Sequence, residues 1–78
     1  MRMTRVSVLR SLRGYTLADV ERRTGKCYAS LSSWESGARK APEDVRSLLC
    51  GLYEAPETVL WDAEGRAREL PIEAVLQA

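Results

Sequence analysis

Apolar residues recur along the first two-thirds of the chain in four short bursts, each closed by a breaker. Val6, Leu9 and Leu12 fall at helical spacing between Thr4 and Arg13. This predicts a first helix with Arg10 and Arg13 beside its apolar stripe, ended by Gly14. The second burst opens on Thr16, with Asp19 three residues later, a variant of the capping box in which each side chain satisfies the other's backbone N–H. Leu17 and Val20 supply its apolar face, and Gly25 suits a left-handed C-terminal cap.

A third helix is predicted from Cys27 or Tyr28 to Gly37. Cys27, Leu31 and Trp34 recur at i, i+4 and i+7, so they share one face and are expected in the core. The opposite face reads Tyr28, Ala29, Ser32, Ser33 and Ser36. Serine is a poor helix former, so packing of Leu31 and Trp34 must hold this helix. A small, polar outer face can approach another surface closely. The fourth helix, Pro42 to Tyr53, places proline at its first position and Glu43 and Asp44 in its first turn, both favourable there. Val45, Leu48, Leu49 and Leu52 form its predicted buried stripe, with Cys50 at the flank.

The tail is less regular. Pro56 can start a single turn through Leu60, "DAEG" signals a turn, and "RAREL" alternates like a short strand. Pro71 can begin a last helix, "PIEAVLQA", while a hairpin of "TVLW" on "RAREL" is the alternative. The fold class expected is all-α, four to five short helices, with a C-terminal extension.

At 78 residues this is one domain, near the size at which a single core stabilises only marginally. No apolar run approaches the length of a membrane span, and the N-terminus has no pattern of an export signal. The chain has no histidine and two cysteines, Cys27 and Cys50. That excludes zinc-finger spacings and histidine-based acid–base catalysis. Two reduced thiols in a reducing cytoplasm are expected, and neither a metal nor a cofactor. The net charge of +1 conceals an asymmetry. Residues 1–40 carry nine bases against three acids, and residues 41–78 carry three bases against eight acids. A basic half beside an acidic half suggests an anion-binding face, with the other half kept off the polyanion or turned to a protein partner.

Two short helices joined by a glycine-containing turn, with others packed around them, make a helix-turn-helix arrangement, though periodicity alone would fit any small helical bundle. Particular residues go further. From Arg10 to Pro42 the chain resembles the Cro/repressor (Xre-like) family of helix-turn-helix regulators of phages and bacteria. The resemblance rests on Arg10, Gly14-Tyr15-Thr16, Val20, Gly25 and the run Leu31-Ser32-Ser33-Trp34-Glu35-Ser36-Gly37, followed by Arg39, Lys40 and Pro42. It needs no gaps and extends to Tyr53, which makes residues 1–53 the expected DNA-binding domain and residues 54–78 an extension that dimerises or caps the core, with Val59, Leu60, Trp61 and Leu70 as its apolar side chains.

The resemblance implies a recognition helix around residues 28–36 that reads the major groove through Tyr28, Ala29, Ser32 and Ser33. It implies phosphate contacts from Ser36, Arg39 and Lys40, with Lys26, Arg22, Arg5 and Arg2 secondary, and a structural ion pair between Arg10 and Glu35. The implied function is a sequence-selective regulator, a dimeric repressor on a palindromic double-stranded DNA operator, since one small module buries too little surface for tight specific binding. The reading set lacks the arginine that pairs guanine and the amides that pair adenine, so direct readout is modest and DNA shape or dimer spacing must add to it. The alternative is a protein-interaction module on the same fold, such as an antitoxin or an adaptor for a host factor. No nucleophile–base pair, glycine-rich phosphate loop or metal-ligand cluster supports an enzyme.

Four residues depart from the family pattern. Glu21 stands where a small residue is usual and needs a partner, for which Arg10 and Lys26 are the candidates. Lys26 replaces a buried aliphatic and can bury its stem with the amine in water. Cys27 replaces a Ser or Thr cap. Leu17 replaces a phosphate-binding glutamine.

Overall fold

In the computed structural model, which describes residues 3–70, five helices follow in chain order. These are α1 (Arg5–Leu12), α2 (Leu17–Thr24), α3 (Tyr28–Ser36), α4 (Glu43–Tyr53) and α5 (Glu57–Leu60). No strand forms among the described residues; extended pairing is confined to two isolated antiparallel bridges, Thr4 with Glu69 and Trp61 with Ala67. The last helix expected from Pro71 lies outside the described residues.

Local chemistry fixes most helix ends. Thr4 caps α1 by accepting the Ser7 N–H, and Ser7 accepts the Thr4 N–H in return. Thr16 and Asp19 do the same for α2, as their spacing predicts. Gly25 and Gly37 end α2 and α3 in the left-handed region, at φ of 73° and 82°, where a side chain would be strained. Pro42 is one position earlier than expected: it caps α4 with an extended backbone while its carbonyl accepts the Arg46 N–H. Proline's missing N–H costs nothing at that position. The single turn after Pro56 forms as α5.

One core holds these pieces together. Val6, Val20, Leu31, Val45, Leu49 and Tyr53 meet Leu60, Trp61, Ala41 and Ala67 in it. Helix α3 packs against α1 and α2, and α5 against α1 and α4. Burying a side chain as large as Leu60 or Trp61 contributes roughly 1.5–3 kcal/mol, so residues of the C-terminal extension are part of the core. The Trp61 indole N–H has no hydrogen-bond partner among the described residues, which offsets part of that gain.

Three apolar residues expected inside are outside. Leu12, at the last turn of α1, is 70% exposed, and Leu48 is 43% exposed. On α4 the buried side is narrower than the sequence stripe: Val45, Leu49 and Tyr53, spaced by four, face the core, and Leu52 is half-buried. Cys27 is exposed because it precedes the first residue of α3 with an extended backbone, so helical spacing does not apply to it. Cys50 flanks the core as expected, and both thiols are free. Burial pushes the Cys50 thiol up.

Two connections position α3. The Arg10 Nε–H donates to Glu35 Oε1 at 2.5 Å while the Arg10 Nη1 group donates to the Tyr15 carbonyl at 2.7 Å. The Thr4 hydroxyl, fully buried, donates to the Glu35 carbonyl at 2.6 Å. The start of α1 is thereby joined to the end of α3.

The extension after α5 folds back along the same end. The Asp62–Gly65 turn is closed by the Gly65 N–H on the Asp62 carbonyl, at 3.0 Å, and by Asp62 Oδ1 accepting the Glu64 and Arg66 N–H groups. The Gly65 carbonyl then accepts the Ala41 N–H at 2.9 Å. Gly65 has φ of 87°, and a Cβ there would lie 2.5 Å from Arg46 Nη1, which is itself bound to the Ala41 carbonyl at 2.6 Å. A side chain at this turn would be strained by its backbone and would have to displace Arg46 from the Ala41 carbonyl.

Removing one member of the Glu35 pair leaves the other charge buried. Glu35→Ala is expected to lower the unfolding free energy by about 3 kcal/mol. Arg10→Ala combined with Glu35→Ala should lose less than the two single changes together, as measured by denaturant titration. Additive losses would mean that the two side chains do not act as a pair.

The Asp62 carboxyl is held below its ordinary 3.8, first by the Arg66 N–H and then by the Glu64 N–H. A pKa depressed on folding means stability that is complete above the ordinary value and lost as pH falls through the folded one. Asp62→Asn is therefore expected to flatten the fall in melting temperature between about pH 5 and about pH 2. Parallel curves for parent and variant would remove Asp62 from the acid response.

Candidate nucleic-acid interface

Helix α3 presents two unlike faces. Leu31 and Glu35 are buried and Trp34 is half-buried against the core. Tyr28, Ala29, Ser32 and Ser36 are exposed, Tyr28 by half, and Ser33 lies at the boundary. Those are the residues expected on the outer face. It therefore carries hydroxyl groups, a phenol and a methyl, and no charge.

The start of α3 is capped in a way the sequence did not reveal. Cys27 makes no side-chain cap. Instead Glu21 Oε2, from α2 across the turn, accepts the Tyr28 N–H at 2.9 Å. The candidate partners Arg10 and Lys26 are thus replaced by a backbone N–H, and a carboxylate at a helix N-terminus is favourably placed against the helix dipole. The positive side of α3 is occupied by its own protein. The signal was present, since Glu21 stood without an assigned partner and the cap position held a residue unable to cap.

Of the seven residues expected at phosphates, Arg2 lies outside the described residues, and the other six separate by what they already bind. Arg39 and Lys40 are exposed in the loop after α3 and have no carboxylate partner among the described residues. The Arg39 guanidinium lies over the Trp34 ring, 5.6 Å from its centre, which orders the side chain without cancelling its charge. Arg22 forms an ion pair with Asp19 one turn earlier. The Thr16 backbone N–H, then its hydroxyl, hold the Asp19 carboxyl below its ordinary value, with Arg22 adding to the effect. Lys26 reaches Asp44 at 3.4 Å. The Arg5 Nη1 group donates to the Val59 carbonyl at 3.2 Å. The Ser36 hydroxyl donates to the Ser33 carbonyl and accepts the Ala38 N–H, so it shapes the loop.

Arg66, not singled out from the sequence, is joined to this loop through its Nη1 group, which donates to the carbonyls of Gly37 at 2.9 Å and Ala38 at 3.1 Å. Arg23 stacks over Tyr15, 4.9 Å from the ring centre. Carboxylates stand close as well, for Glu43 and Asp44 follow Lys40 by three and four residues and are exposed. Among the described residues there is no group of three or more metal-ligating side chains, and no helix is long and apolar enough to cross a membrane.

Comparison with known proteins finds no matching family model, no similar curated protein and no similar solved structure.

The Glu21 cap is testable by itself. Glu21→Ala is expected to destabilise the fold by about 1 kcal/mol, the usual worth of an N-cap. Amide exchange should quicken at Tyr28. Glu21→Gln keeps an acceptor oxygen and should lose much less. Equal losses from the two variants would show that charge rather than hydrogen bonding supports this helix end.

Proposed function

We propose that the protein is a sequence-selective regulator of the Cro/repressor type that binds double-stranded DNA as a dimer, with α2 and α3 as its helix-turn-helix. The observation that carries this reading is the division of α3. Its inner face is anchored by Leu31 and by the Arg10–Glu35 pair, and its outer face is exposed, small and uncharged. Immediately beyond it stand Arg39 and Lys40, two exposed bases without acidic partners among the described residues. A face of this kind can enter a groove while the loop's bases bind the phosphates that line it. Tyr28, Ala29 and Ser32 are then the base-reading residues, with Ser33 at the margin, and the hydroxyls and the Ala29 methyl give modest discrimination.

A second reading, a protein-interaction module, is favoured by Glu43 and Asp44. These acids stand beside the loop and repel a polyanion. The two readings differ in salt dependence, since phosphate contacts release counterions and protein docking on an uncharged face does not.

Selection from a random duplex library is expected to enrich a palindrome with half-sites about 10 base pairs apart. Arg39→Ala with Lys40→Ala should weaken binding to every sequence and reduce the slope of log affinity against log salt by about 1.8, at about 0.9 per phosphate lost. Tyr28→Ala should alter the enriched sequence instead. No enrichment at low salt, with folded protein, would transfer the proposal to the interaction module.

A further inference from the structure

A groove of about 340 Å³ runs beside the end of α3, lined by Arg5, Ser36, Gly37 and the returning segment Asp62, Arg66, Ala67, Arg68 and Glu69. Its three guanidinium groups are held differently. Arg68 Nε donates to the Thr58 and Trp61 carbonyls, and Arg5 Nη1 to the Val59 carbonyl. Both are half-buried, whereas Arg66 is exposed. The Arg66 Nη1 group alone serves the Gly37 and Ala38 carbonyls, so Nε and Nη2 make no hydrogen bond among the described residues. A guanidinium has five N–H donors in a planar fork, and three of them remain for an acceptor outside the protein.

We infer that the C-terminal segment supplies a DNA-phosphate contact of its own, Arg66, which binds the α3–α4 loop with one amino group and the DNA backbone with the rest of the fork. This rests on the DNA-binding reading above. Three observations place the charge where that reading needs it. Arg66 reaches Ala38, the residue before Arg39, so it extends the Arg39–Lys40 cations toward the end of α3. Its acidic neighbour Asp62 is turned to the Glu64 and Arg66 backbone N–H groups. Three guanidiniums against the carboxylates of Asp62 and Glu69 leave the groove net positive. Arginine suits the position better than lysine, since a planar fork can hold two carbonyls and a phosphate together and a point charge cannot.

The test is the salt dependence of binding to a fluorescently labelled 20-base-pair duplex by the full chain, for the parent, Arg66→Gln, Arg66→Lys and the Arg39→Ala/Lys40→Ala variant. Arg66→Gln is expected to weaken binding roughly 3- to 10-fold near physiological salt and to lower the salt slope by about one. Arg66→Lys should keep the slope of the parent. An unchanged slope in Arg66→Gln, with a reduced slope in Arg39→Ala/Lys40→Ala, overturns the inference and leaves the reading intact. A parent with no salt-dependent affinity for the duplex overturns both.

Loss of folding in Arg66→Gln is bypassed by arginine modification of the parent protein with a dicarbonyl reagent, read by mass spectrometry. Bound duplex should protect Arg66 together with Arg39, and leave Arg46, which is paired with Glu57, at its free rate. Protection of Arg39 without Arg66 would show that the C-terminal segment does not touch DNA.

Discussion

Glu35 is the one charged residue buried among the described residues, and the placement of α3 depends on how it is satisfied. A carboxylate out of water is tolerable only with a close, well-oriented partner. Arg10 is that partner, and because its other amino group holds the Tyr15 carbonyl, one guanidinium ties α1, the α1–α2 turn and α3 together. The Thr4 hydroxyl adds a second tie from the start of α1 to the Glu35 carbonyl. A buried ion pair is a weak source of net stability compared with apolar residues of the same volume. Its contribution here is orientation, since the pair is satisfied in one rotation of α3 and broken in others. For a helix rich in serine, which has little propensity of its own, that constraint selects the face turned outward.

With its inner face so fixed, α3 needs nothing structural from Tyr28, Ala29 or Ser32. Its two ends are secured by residues from elsewhere: Glu21 of α2 caps the first turn, and Arg66 from the extension holds the carbonyls that follow the last. The helix is thus supported from behind and at both ends. The loop that follows is supported again through the Ala41 N–H on the Gly65 carbonyl. Leu60, Trp61 and Ala67 enter the core and so anchor the segment whose turn reaches the loop.

What was legible in the sequence is what short-range chemistry decides. Thr16 with Asp19, Gly25, Gly37 and the turn after Pro56 all carry their conformational reason within four residues, and each forms as read. Leu12 and Leu48 were misplaced because periodicity gives the direction of a stripe and not how much of it a neighbour covers. The Glu21–Tyr28 cap spans seven residues across a turn, and its trace in the sequence was indirect, an acid without a partner beside a cap position that could not cap; the Arg66–Gly37 bond spans 29 and has no sequence signature. The Arg10–Glu35 pair, 25 residues apart, was reached only through the family resemblance. The outer face of α3 was legible from spacing except at Ser33, which lies at its boundary, since the direction of a face depends on one helix alone.

Charge shows the same distinction between chain order and space. The basic first half and acidic second half suggested an anion-binding region confined to residues 1–40, but the fold redistributes the charges. Lys26, in the basic half, is joined to Asp44 in the acidic half. Asp19 takes up Arg22 within the basic half itself. Arg66, from the acidic half, stands against the loop that carries Arg39 and Lys40. The cationic surface beside α3 is therefore smaller than the count of nine bases implies and draws on both halves of the chain. Affinity for a polyanion depends on charges that remain without partners after folding, because a base already matched by a carboxylate must lose that pairing before it gains another. By that criterion Arg10 and Arg22, each paired with a carboxylate, count for less than Arg39 and Lys40, which have no carboxylate partner among the described residues.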